Sequence, residues 1–134
     1  MVRGRRRRIY RCHQFPFKGR TGFTRLGNAL IYSLHGFTSA FNHEEAFRQE
    51  VLLALALIPL AVYFDVSGLA RAVMIASVLL VLIVELLNSA IEAAVDRISL
   101  ESHRLSKRTM DIGSAAVLLS VVYVAVVWSL ALLP

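Results

Sequence analysis

From Ile112 to Pro134 the chain carries no charged side chain. A helix of that composition has no polar face to turn towards water, which argues against a soluble bundle. It is also long enough to cross a bilayer core of about 30 Å. Two further apolar runs precede it. Leu69 to Leu87 is broken only by Arg71 and Glu85, and Val51 to Phe64 is shorter but can be extended by Ala46, Phe47 and helix tilt. The whole chain is 57% hydrophobic and only 18% charged, far from the balance of a soluble domain. The sequence therefore predicts an all-α membrane protein with three transmembrane helices.

The net charge of +6 is unevenly placed. Residues 1–20 hold Arg3, Arg5, Arg6, Arg7, Arg8, Arg11, Lys18 and Arg20 and no acid, so that segment is +8 and the rest of the chain −2. We read residues 1–20 as a basic, disordered extension and residues 21–134 as the membrane domain. A basic tail ahead of membrane helices contacts anionic headgroups and sets orientation. No stacking platform or nucleic-acid fold accompanies it, so no nucleic-acid partner is expected. It does not lead into an apolar core with a cleavage site, so it is not a secretory signal. The one cysteine, Cys12, cannot form an internal disulfide or a thiolate metal site.

Between the tail and the first span, Phe23, Leu26, Leu30, Leu34, Phe37 and Phe41 share one helical face, with Arg25, Asn28, Tyr32, His35 and Ser39 opposite. That pattern predicts an N-terminal amphipathic helix lying in the membrane interface. Asn42 is placed to cap the next helix, with Glu44 and Glu45 in its first turn. Asp65-Val-Ser-Gly68 reads as a turn. Residues 99–107 read as a polar connection, with the third spanning helix beginning near Asp111. Positive charge gathers in the tail and around Arg97, Arg104, Lys107 and Arg108, which predicts a cytoplasmic N-terminus and a cytoplasmic second connection.

The second span carries an unusual stripe. Glu85, Asn88, Ser89, Glu92 and Asp96 fall within an arc of about 100°. Acids inside a membrane helix cost about 2–3 kcal/mol each by insertion scales, so they mark function. Three acids and an amide on one face suit a cation, or phosphates carried by a cation. On the inferred topology Glu44 and Glu50 lie at the same level on the first span, and His103, Lys107 and Asp111 on the third.

Phosphoryl transfer would use such a set. Cations neutralise the phosphate oxygens while a carboxylate accepts the hydroxyl proton. Mg²⁺ takes one or two carboxylates plus phosphate oxygens, and Glu92 and Glu44 are placed for that. Glu85, one to two turns deeper, suits a base facing a lipid hydroxyl. Asn88 is one turn away and could orient either Glu85 or the substrate; Arg25 and Lys107 could meet phosphates. Neither G-x-x-x-x-G-K-[ST] nor G-x-G-x-x-G occurs. On spacing alone an enzyme, an ion transporter and a structural membrane subunit all stay open.

Glu85-Leu-Leu-Asn88-Ser89-Ala-Ile-Glu92-Ala-Ala-Val-Asp96-Arg97 resembles the signature of the prokaryotic diacylglycerol kinase family. Thr21-Gly-Phe-Thr-Arg25, Ala46-Phe-Arg48-Gln49-Glu50 and Asp111-Ile-Gly-Ser114-Ala-Ala-Val match it as well, in the right order. The resemblance implies a homotrimeric bundle in the bacterial cytoplasmic (inner) membrane. It implies transfer of the ATP γ-phosphate to diacylglycerol, with Mg²⁺, to give phosphatidic acid. By position it implies Glu85 as catalytic base and Glu44 and Glu92 as metal ligands. Arg25, Tyr32, Glu101, Ser102, His103 and Asp111 join those two acids as ATP-binding positions. Arg25, Arg48, Gln49, Glu50, Glu85, Asn88 and Ser114 match the lipid-substrate positions. One residue departs from the pattern: Met110 stands where the family usually has lysine, and Lys107 or Arg108 is expected to replace that charge. The alternatives are an undecaprenol kinase on the same scaffold and an inactive relative serving as a membrane interaction protein. The wording Phe47-Arg48-Gln49-Glu50 and Asn88-Ser89 leans towards diacylglycerol.

Overall fold

The computed structural model describes residues 22–98 and 103–134. The basic tail, Cys12, Glu101 and Ser102 lie outside the described residues. Four α-helices follow one another: α1 (Gly22–His43), α2 (Glu45–Tyr63), α3 (Gly68–Ile98) and α4 (His103–Leu132), with no strand among the described residues. Glu45–Tyr63, Gly68–Arg97 and Arg104–Leu132 are each long and apolar enough to cross a membrane.

The chain divides after Gly36 into two units. The described part of the first is helical, and its apolar residues Phe23, Leu26, Leu30 and Leu34 are all exposed. Tyr32 and His35 meet edge to face at 6.4 Å, and Ser33 Oγ donates to the Ala29 carbonyl at 2.8 Å.

The second unit is built on α3, which packs against both α2 and α4. Its core is Ala54, Ala61, Met74, Val78 and Trp128. Lipid tails are as apolar as these side chains, so close packing and polar contacts, rather than transfer from water, hold such helices together. Small Ala54 and Ala61 let α2 approach α3, and Trp128 fills the space beside Met74. Phe64 meets the Trp128 ring edge to face at 6.5 Å. The Trp128 indole N–H donates to the Met74 carbonyl at 3.3 Å, and Ser77 Oγ donates to the same oxygen at 2.6 Å. Trp128 is thus a packing residue.

Two arginines tie the elbows. At the α2–α3 turn, Arg71 donates from Nε to the Ala61 carbonyl at 3.2 Å and from Nη2 to Phe64 at 3.1 Å. The last carbonyls of a helix have no intrahelical donor, and a cation there also complements the helix dipole. The Arg71 donors are thus turned inward, onto the end of α2. Ser67 begins α3 by accepting the Ala70 N–H at 3.1 Å.

Arg48 does the same at the α1–α2 elbow, donating from Nη1 to the carbonyls of Phe41 at 3.1 Å and Asn42 at 3.2 Å. Asn42 does not cap α2 as expected, because α1 continues through it to His43. Glu44 is the N-cap, in extended conformation and with no side-chain capping bond. The third spanning helix also starts earlier than expected. Residues 103–110, read as polar connection and approach, form the first turns of α4.

Candidate functional site: a carboxylate cluster at one end of the helices

The start of α2, the second half of α3 and the start of α4 lie at one end of the second unit. Glu85 is only 4% exposed on α3. Its carboxylate lies within electrostatic reach of Glu92 and Glu44, and Glu50 within reach of Glu85. Four acids from α3, α2 and the elbow before α2 therefore feel one another's charge. Like charges so gathered repel one another, and a cation or a shared proton relieves them.

Asn88 is 7% exposed, and its Nδ2 donates to Glu92 Oε1 at 3.0 Å. The amide thus orients Glu92, where the sequence pointed to Glu85 or the substrate. Asn88 Oδ1, Ser89 Oγ and Glu50 Oε2 are buried polar atoms with no hydrogen-bond partner among the described residues. Glu50 sits on an apolar cavity of about 210 Å³ that also takes in Leu53, Leu57, Val78, Val81 and Val121.

The other expected site residues are placed differently. Gln49 and Ser114 are exposed. Arg48 is engaged with the end of α1. Asp111 is exposed and paired with Lys107 at 2.7 Å, so Lys107 spends its charge on a neighbouring acid. Met110 is partly exposed beside them. Arg25 and Tyr32 belong to the first unit, where both are exposed and Arg25 borders a shallow groove with Gly22, Leu26 and Ala29. His103 is the first residue of α4.

No three of the described His, Cys, Asp and Glu side chains form a complete metal-binding group. An ion delivered on phosphates needs only one or two carboxylates from the protein. Glu92, oriented by Asn88, and Glu44, whose carboxylate is not consumed by capping, fit that demand. Sequence reasoning missed Gly113. It is buried on α4, and a methyl group there would overlap Asn88 Oδ1. A lone glycine near a helix start gives no sign of its partner.

Three membrane-crossing helices with carboxylates gathered at one end define a small helical membrane protein with a polar site at its surface. The family model for prokaryotic diacylglycerol kinase matches residues 31–132. A diacylglycerol kinase of Pseudomonas aeruginosa is 58% identical over 118 residues, covering 88% of this chain and 96% of that protein. A diacylglycerol kinase of Escherichia coli is 48% identical over 112 residues, covering 84% and 92%. One from Helicobacter pylori is 43% identical over 107 residues, covering 80% and 84%. The chain belongs to the prokaryotic diacylglycerol kinase family.

Proposed function

We propose that this protein phosphorylates diacylglycerol with ATP, giving phosphatidic acid and ADP. The supporting observation is the buried Glu85 carboxylate, within reach of Glu92 and Glu44, in a chain so similar to proteins named diacylglycerol kinase.

The free hydroxyl of the lipid attacks the γ-phosphorus. The oxygen–phosphorus bond to the lipid forms as the bond from the γ-phosphorus to the bridging oxygen breaks, and ADP leaves. Glu85 accepts the hydroxyl proton. Its burial within the second span suits a lipid hydroxyl held at headgroup depth. Glu92 and Glu44 would hold Mg²⁺ on the nucleotide, where the ion would supply positive charge to the phosphate oxygens. Asn88 fixes Glu92. His103 and Asp111 belong to the nucleotide side, while Arg48, Gln49, Glu50, Asn88 and Ser114 belong to the lipid side; the family resemblance also assigns Glu101, Ser102 and Tyr32 to the nucleotide and Arg25 to both substrates.

The enzyme works as a homotrimer in the bacterial inner membrane, with the site and the N-terminus on the cytoplasmic side. Two features support this. The exposed apolar surface of α4 and the cavity beside Glu50 call for a neighbouring helix, and positive residues cluster at the end that carries the acids. The first-unit helix lies along the interface on its apolar face.

The deciding experiment gives purified protein labelled ATP, Mg²⁺ and either diacylglycerol or undecaprenol. Labelled phosphatidic acid is the expected product. Transfer to the polyprenol alone would replace the substrate, and transfer to neither would remove the kinase reading.

A further inference from the structure

Five glycines have described surroundings, and only Gly113 has an atom facing the place of its missing side chain. A methyl group on it would overlap Asn88 Oδ1 and come within 3.3 Å of Asn88 Cγ. At Gly22, Gly27, Gly36 and Gly68 the same methyl would meet nothing. Glycine inside a helix is less favourable than alanine by about 1 kcal/mol, so position 113 carries a cost that the Asn88 amide explains.

The other edge of that amide bonds to Glu92. Only Nδ2 can donate to a carboxylate, so Oδ1 must face α4. A half-buried glutamate could take several rotamers. A buried amide held between two helices selects one of them through a charge-assisted hydrogen bond.

We propose that Gly113 is a positioning residue for Glu92. Its missing side chain lets α4 seat Asn88, and the seated amide, bonded to Glu92 Oε1, fixes the Glu92 carboxylate for the nucleotide's divalent cation. This rests on the reading of Glu92 as a metal-holding carboxylate.

The test measures Mn²⁺ binding with a non-hydrolysable ATP analogue, reading the free-ion signal by electron paramagnetic resonance on protein in detergent micelles. Gly113→Ala is expected to weaken Mn²⁺ binding about tenfold, the size of a lost charge-assisted bond. Asn88→Ser removes the overlapping amide, so Asn88→Ser with Gly113→Ala should bind Mn²⁺ as well as Asn88→Ser alone. That pair decides the matter even if Gly113→Ala alone does not assemble. Parent-like Mn²⁺ affinity in Gly113→Ala, with affinity lost in Glu92→Gln, would overturn the role of Gly113 and leave the metal reading standing. A further loss in the double variant would overturn it too. Full affinity in Glu92→Gln would remove the metal reading and this inference with it.

Discussion

Arg48 donates to the Phe41 carbonyl, seven residues earlier, across the elbow between α1 and α2. The same guanidinium nitrogen reaches Asn42, so one side chain closes the end of α1. Glu44 lies inside that elbow. Its backbone is held at both ends, by its own N–H to Ala40 at 2.8 Å and by its carbonyl, which accepts from Arg48 N at 3.2 Å. Its side chain is left out of the capping network.

Arg48→Ala should therefore loosen the elbow and cost about 1–2 kcal/mol. We expect the KM for diacylglycerol to rise with the lost lipid-side contact and the KM for MgATP to rise with the loosened Glu44. Arg48→Lys keeps the charge but reaches the carbonyls less well, and should fall between. Steady-state kinetics with each substrate varied in turn checks the order.

Glu85→Gln keeps the shape and burial of the side chain but cannot take the hydroxyl proton. Turnover should fall by about 10²–10⁴-fold. Binding of Mn²⁺ with a non-hydrolysable ATP analogue should survive, because Glu92 and Glu44 are untouched. Single-turnover measurements separate the two effects.

Arg71 closes the opposite elbow, outside the proposed site. Arg71→Ala leaves the C-terminal end of α2 without its donor and should lower stability by about 1–3 kcal/mol. Protein that remains folded should turn over at the parent rate. Thermal unfolding in detergent, with activity normalised to the folded fraction, tests both halves of that statement.

Lys107 is bound to Asp111. Met110→Lys would add a cation beside that pair, and we expect a lower KM for ATP with an unchanged KM for diacylglycerol. The gain should shrink as salt is raised, since the site is exposed there.

The sequence made the spans readable because length and lack of charge leave a membrane helix few alternatives. The stripe from Glu85 to Glu92 was readable for the same reason: acids are conspicuous in an apolar run. The start of α4 was obscured by its composition. Arg104, Lys107 and Arg108 look like a solvated connection, yet a helix can begin outside the lipid with polar turns. Asn42 had the right chemistry for a cap, but α1 ran on through it. The roles of Arg48 and Arg71 depend on acceptors that are backbone carbonyls of another helix, which no side-chain pattern records. Gly113 is hardest to read, because its meaning lies in the Asn88 amide opposite.

The helices differ in length: α2 has 19 residues and α3 has 31. At 1.5 Å per residue α2 is about 28 Å long, close to the thickness of a bilayer core, and α3 about 46 Å. The shorter helix thus acts as a ruler for the membrane, and the surplus of α3 stands beyond it as a mast. A water-soluble phosphate donor and an alcohol that never leaves the lipid can then meet on a single rigid rod, without either crossing the boundary between their two solvents.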